Sequence, residues 1–266
     1  MIIVWILLAL LGIYLVLTFP RLRRPIGRLK EFDYAHRGLW DESAPENSLP
    51  AFRRAVENGF GIELDVHLTR DNHLVVFHDD TLDRMCGVPG KVCDMTLKEL
   101  RRLRLSGTEC TIPTLAEVLK VVNGRVPLIV EIKPDKRLNE LCRHAYAVLQ
   151  RYNHPGMWCM ESFHPLAVHW FRKNAPEVIR GQLAYGMKRR DKKMALDSFI
   201  ASLVFNALSR PDFIAFKAVS DRSLPMLWMR ICRPWFVAWT VRSQAEMDEF
   251  RKRYHMQIFE GFIPKR

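Results

Sequence analysis

Apolar and polar positions along the chain fall into three regimes. Residues 2–19 are apolar apart from Gly12, Tyr14 and Thr18 and carry no charge, and residues 21–30 form a short basic stretch. From about Glu31 onward, apolar or alternating runs of strand type interchange with segments of helical period. Strands are predicted at 32–35, 61–68, 126–134, 157–163, 178–185, 212–217, 235–241 and 257–263. Helices are predicted at 49–58, 114–120, 138–151, 165–174, 193–208, 224–231 and 244–254. Eight strands alternating with helices predict an α/β fold, the (β/α)8 TIM barrel, whose active site lies at the C-terminal strand ends. A further β-rich run, 74–77, follows the turn residues 69–73 and predicts a tight return. Residues 81–113 read as a short insertion after the second strand, with one helix at 96–103 capped by Thr96 and Glu99. The expected domains are an anchor over 1–20, a basic linker over 21–30 and the barrel over 31–266.

The strand at 61–68 alternates, so Glu63, Asp65 and His67 share one face. Two carboxylates side by side repel unless a cation sits between them, and a hard divalent ion is their natural partner. A solvated strand face explains the pair equally well. His36 follows the first strand and precedes Gly38, and His78 follows the return at 74–77, so both histidines fall near the carboxylates. The near-continuous apolar run at 126–134 ends in Glu131 and Lys133 on one face. They offer a further metal ligand beside a phosphate-binding charge, or simply a buried ion pair.

In order and spacing, His36-Arg37-Gly38, Pro45-Glu46-Asn47, Glu63-Leu64-Asp65-Val66, Leu68-Thr69-Arg70-Asp71, His78-Asp79, Ile112-Pro113-Thr114-Leu115 and Glu131-Ile132-Lys133-Pro134 resemble the glycerophosphodiester phosphodiesterase family. A weaker likeness continues to the C-terminus. The resemblance implies that Glu63, Asp65 and Glu131 bind a divalent metal, Mg2+ or Ca2+. It makes His36 and His78 the general base and general acid, and has Arg37 and Lys133 hold the phosphate oxygens. Glu46 and Asn47 would support the site from behind, and His67 reads as a packing residue. The implied reaction splits a glycerophosphodiester into glycerol 3-phosphate and an alcohol, through attack of a neighbouring substrate hydroxyl on phosphorus. Lysophospholipase D-like action on lysophospholipids and a non-catalytic barrel that binds phospholipid headgroups are the alternatives. Glu161, Ser162, Lys217, Trp239, Thr240 and Arg242 are further strand-end candidates for the pocket. The family's closing Asp-Gly segment is here Glu260-Gly261-Phe262-Ile263-Pro264, a departure that bears on the alcohol side.

Composition adds the surroundings. A net charge of +12 suits an anionic partner, either lipid headgroups or nucleic acid. The apolar N-terminus favours headgroups, and no nucleic-acid partner is expected. Clusters at Arg101, Arg102 and Arg104 and at 188–193 carry part of that charge. Residues 2–19 have the length of a transmembrane helix and lack the flanks of a signal peptide. Arg21, Arg23, Arg24, Arg28 and Lys30 follow it, predicting a single-pass membrane protein whose catalytic domain faces the cytoplasm. The alternative is an apolar helix packed on the domain itself. Six cysteines show no metal-binding spacing and are expected as free thiols, although Cys86 and Cys93 flank a turn and could bridge in an oxidising compartment.

Overall fold

A computed structural model describes residues 1–21, 23–185, 203–218 and 223–265. Most of the expected 193–208 helix and the basic run at 188–193 lie outside the described residues. Nine strands form one sheet: β1 (Tyr34–His36), β2 (Gly61–Leu68), β3 (Leu74–Val76), β4 (Leu128–Ile132), β5 (Trp158–Ser162), β6 (Arg180–Ala184), β7 (Phe213–Lys217), β8 (Trp235–Val241) and β9 (Met256–Phe259). Eight of them run parallel in the order β1-β9-β8-β7-β6-β5-β4-β2, and pairing of β1 with β2 closes the barrel. β3 is the predicted return, antiparallel to β2.

Alternation along the strands separates two cores. Ile62, Leu64 and Val66 of β2 and Leu128, Val130 and Ile132 of β4 face outward into the layer of surrounding helices. Ile129, Cys159, Leu183, Phe213, Val237 and Ile258 belong to a second cluster filling the barrel toward the N-terminal strand ends. One step further along the same inner face the side chains turn acidic. Register places Asp65 beside Glu131 and Glu131 beside Glu161, so three adjacent strands present carboxylates in one row.

The insertion has its own small core, with Leu82, Met85, Val92, Leu100, Leu105 and Ile112 packed on Val75 and Phe77. Its helix Leu97–Leu100 starts at the predicted capping box of Thr96 and Glu99. All six cysteines, including Cys86 and Cys93, are free thiols.

Residues following the N-terminal helix close the barrel's other pole. Ile26 and Leu29 are buried in the inner cluster, and the Leu29 carbonyl accepts a 2.6 Å bond from the Tyr34 hydroxyl. Arg24 donates to Asp212 just before β7 at 2.8 and 2.9 Å, and its carbonyl accepts from the Trp235 indole at the start of β8.

The helix before it, α1 (Ile2–Thr18), corrects the expected transmembrane span. No helix among the described residues is long and apolar enough to cross a membrane. The reason is where α1 stops: Thr18 is buried, its carbonyl accepts from Asn206, and the Phe19 carbonyl accepts from Arg210. At 1.5 Å per residue, 17 residues rise about 26 Å, short of the ~30 Å hydrocarbon core. The alternative of a helix packed along the domain is not met either, since Ile3, Trp5, Leu7, Leu10 and Ile13 are all exposed.

Candidate active site

Four carboxylates converge at the C-terminal strand ends. Glu63, Asp65, Glu131 and Glu161 are all buried, and an oxygen from each of Glu63, Asp65 and Glu131 lies within 4.8 Å of the others. Lys133, one residue past β4, reaches back to Asp65 at 3.0 Å and Glu131 at 2.9 Å. Asp65 also accepts a 2.8 Å bond from the Asn47 amide, and the Arg37 Nε lies 3.6 Å from it.

Charge in this cluster is unevenly compensated. Burial alone would raise the Asp65 carboxyl, but Lys133, His78 and Arg37 outweigh it and hold the group well below the usual carboxylate range. Glu63 is pushed far up by burial and by the charges of Asp65, Glu161 and Glu131. Burial likewise lifts Glu131 to about 7 against the pull of Lys133, and raises Glu161 strongly beside Glu131 and Asp65. Asp65 Oδ1 has Lys133 as its one partner, and Glu161 Oε2 is buried without a hydrogen bond. Several carboxylates crowded together, too few cations and an orphaned Glu161 oxygen fit a hard divalent ion at Glu63, Asp65 and Glu131, with Glu161 against the same cluster.

The loop after β1 brings Arg37 and Asn47 to the cluster. Arg37 and Asn47 both adopt left-handed backbone, with φ 59° and 56°, which costs energy for residues carrying a Cβ. Two bonds lock that shape: the Arg37 amide to the Glu63 carbonyl, and the Asn47 amide to the Arg37 carbonyl, both 2.9 Å. Gly38 follows at φ 85°, where a Cβ would meet Ala51 and Phe52 at 3.0 Å. The Arg37 guanidinium is held by Glu46 at 2.9 Å, leaving its buried Nε without a hydrogen-bond partner beside the acidic cluster.

Both histidines flank this center. His36 Nε2 lies 3.9 Å from Glu63, and its Nδ1 is bonded to the Glu260 carboxylate. His78 Nδ1 lies 2.5 Å from Asp79, and burial lowers the His78 pKa. His67 is buried, with Nε2 3.2 Å from the His78 carbonyl. A cleft of about 360 Å3 opens beside His67, between Asp80 and Lys91 of the insertion side and Pro134 and Lys136 after β4.

All seven candidate residues, His36, Arg37, Glu63, Asp65, His78, Glu131 and Lys133, thus come to one end of the barrel. Of the other strand-end candidates, Ser162 turns its hydroxyl to the Ile132 carbonyl, and Trp239 meets the Phe163 ring edge-on at 5.5 Å. Lys217 is exposed. Two contributions escape a reading of local pattern. Glu161 joins the acidic row only through the β4–β5 register, and Glu260 reaches His36 only because β9 pairs with β1.

The glycerophosphoryl diester phosphodiesterase family model matches residues 36–258. A glycerophosphodiester phosphodiesterase of Caldanaerobacter subterraneus subsp. tengcongensis is 36% identical over 166 residues, 58% of this chain and 67% of the relative. A human lysophospholipase D is 32% identical over 174 residues, 57% of this chain and 54% of that protein, so the chain spans about half of it. Among solved structures, a glycerophosphodiester phosphodiesterase from Parabacteroides distasonis superposes with a TM-score of 0.67 at 26% identity, covering 86% of this chain and 92% of that one. An Oleispira antarctica phosphodiesterase in complex with sn-glycerol-3-phosphate shares the fold with a TM-score of 0.71 at 23% identity, over 86% and 92% of the two chains. With the match running from the first histidine to the final strand, the chain belongs to the glycerophosphoryl diester phosphodiesterase family.

Proposed function

We propose that the chain is a metal-dependent phosphoric diester hydrolase that splits glycerophosphodiesters into glycerol 3-phosphate and an alcohol. The observation that carries this reading is the buried carboxylate cluster of Glu63, Asp65, Glu131 and Glu161, with His36, His78, Arg37 and Lys133 beside it. Glu63, Asp65 and Glu131 would hold Mg2+ or Ca2+, which would supply charge neutralisation at the phosphate.

The chain's own residues supply the remainder. Arg37 and Lys133 orient the phosphate. His36 takes the proton of the substrate's neighbouring glycerol hydroxyl at Nε2 as that oxygen bonds phosphorus, and His78 gives a proton to the departing alcohol oxygen. The P–O bond to the alcohol breaks and a cyclic phosphate forms. Water then opens the ring with the two histidines in exchanged roles, leaving glycerol 3-phosphate.

α1 and its surroundings bear on the substrate. Its apolar side chains are exposed on every face, and Arg23, Arg28 and Lys30 follow on the surface. An exposed apolar helix with a basic flank suits contact with anionic lipid. Its root contacts Asn206, Arg210 and Pro211, at the pole opposite the carboxylates. A barrel attached at that pole opens its mouth away from the lipid, which favours a diester dissolved in water. Lysophospholipid is the second reading, supported by the name of the human relative.

The test is product release from glycerophosphocholine, glycerophosphoethanolamine and a lysophospholipid, for the full chain beside His36→Ala and His78→Ala. Release of glycerol 3-phosphate from the first two, abolished in both variants, is expected. Preference for the lysolipid would select the second reading. Headgroup binding with no turnover on any of the three would leave a binding barrel.

A further inference from the structure

The two histidines share a feature that the reaction as described does not use. His36 Nδ1 is bonded to Glu260 Oε2, and the other oxygen of that carboxylate accepts from Arg242 Nη2 at 2.5 Å. His78 Nδ1 meets Asp79 Oδ1 at 2.5 Å, and the other oxygen of that carboxylate accepts from Arg84 Nε at 2.6 Å. The sequence histidine, carboxylate, arginine therefore occurs twice, once on each side of the acidic cluster. The two copies come from unrelated parts of the chain. Asp79 is the neighbour of His78, whereas Glu260 arrives from the end of β9, 224 positions away, and its amide is held by the Val241 carbonyl at 3.0 Å. On the His78 side the chain of charges continues, because Arg84 also donates to Glu46 at 2.7 and 3.0 Å and Glu46 holds Arg37.

A carboxylate has no proton to donate, so each contact requires the hydrogen on Nδ1 of the ring. Glu260 is ionised at neutral pH: burial would raise it, but the bond from His36 outweighs that and holds it at about 2. With Nδ1–H fixed, the free nitrogen of a neutral His36 is Nε2, the atom that faces Glu63. The arginine fixes the carboxylate in turn, so the ring plane is set by two restraints in series.

We propose that Glu260 and Asp79 are positioning residues that set the tautomer and ring plane of His36 and His78, each steadied by its arginine, Arg242 or Arg84. This rests on the proposed roles of the two histidines. It gives the Glu260 departure from the family's Asp-Gly segment a function: the longer side chain spans from the last strand to the first histidine across the β9–β1 pairing.

The experiment combines steady-state kinetics with 15N imidazole spectra of the metal-free full chain, recorded with His36 neutral. Glu260→Gln is expected to lower kcat about 10–100-fold with KM within about twofold. It should also shift His36 from the Nδ1–H toward the Nε2–H tautomer. Glu260→Asp keeps the charge and should retain most of the Nδ1–H signal and recover at least a third of the lost rate. Arg242 is 62% exposed, so Arg242→Ala should fold normally and lower kcat about threefold. Asp79→Asn is the corresponding variant for His78. A Glu260→Gln chain with wild-type kcat, or with His36 still in the Nδ1–H form, overturns the proposal. A wild-type chain without diesterase activity removes the proposed function instead, and the tautomer spectrum still decides whether Glu260 positions His36.

Discussion

The barrel's two poles handle buried acid in opposite ways. At the N-terminal strand ends a single carboxylate, Asp212, sits fully buried among Arg24 at 2.8 Å, Arg21 at 3.7 Å and Arg180 at 3.9 Å, and it also accepts the Arg180 amide at 3.1 Å. At the C-terminal ends Glu63, Asp65, Glu131 and Glu161 share Lys133 and Arg37, and a buried Glu161 oxygen lacks any hydrogen bond. The first arrangement is satisfied from within the chain and fixes the segment after α1 to the barrel. The second is left short of positive charge, which is costly to a folded protein unless something else arrives to supply it. An excess of cations marks a structural lock here, and a deficit marks a site.

Neutralising one acid at each pole should therefore have opposite consequences. Asp65→Asn or Glu63→Gln is expected to cut turnover by about 10³-fold, the scale of losing one electrostatic stabiliser of the reacting phosphate. Metal-free Glu63→Gln should at the same time melt a few degrees higher than wild type, about 2–4 °C per kcal/mol of relieved repulsion. A fall in the melting temperature would break the contrast. Asp212→Asn, which strips the counter-charge from the buried Arg180 and the half-buried Arg24, should cost on the order of 3 kcal/mol in denaturant unfolding while leaving activity per folded molecule unchanged.

Acidity sharpens the same contrast. Glu131 titrates near 4.5 when unfolded and at about 7 in the folded, metal-free chain, because burial disfavours its charged form. Between those values the folded state holds more protons than the unfolded one, so its contribution to stability is present below about 4.5 and declines as pH rises to about 7. A divalent ion needs the ionised carboxylate, so the melting-temperature gain from added Mg2+ or Ca2+ should grow as pH rises through that window. Equal gains at the two ends of the window would contradict the assignment of Glu131 as a ligand. The smallest effect concerns α1: reversing Arg23 and Lys30 to glutamate should weaken sedimentation with anionic vesicles, by about 1 kcal/mol for each charge lost and more for each reversed. Unchanged sedimentation would remove the lipid-facing reading of that pole.

How much of this was legible depended on whether the signal was local. β2 appears with the predicted bounds because its strict alternation begins at a glycine and ends before turn residues, and the same alternation put Glu63, Asp65 and His67 on one face. The capping box at Thr96 and the return of β3 were visible for the same reason. Glu161 is visible in the sequence as a strand-end residue, but its membership of the acidic row follows from the offset between β4 and β5, which neither strand's sequence carries. Contact between Glu260 and His36 depends on closure of the whole barrel. Local pattern overstates α1 because the uncharged run extends to Phe19, while the helix ends at Thr18, where Asn206 takes the Thr18 carbonyl and Arg210 the Phe19 carbonyl.

The central claim is that the underneutralised pole becomes a phosphodiester-cleaving site when a divalent ion is supplied. Its most direct measurement is the rate of glycerol 3-phosphate release from glycerophosphocholine by metal-stripped full chain, titrated with Mg2+ and with Ca2+. Turnover that is absent after stripping and returns along a saturable curve with at least one of the two ions is the predicted result, with Glu131→Gln shifting that curve to higher concentration. A rate that survives stripping unchanged, or that neither ion restores in a protein still folded, would contradict it.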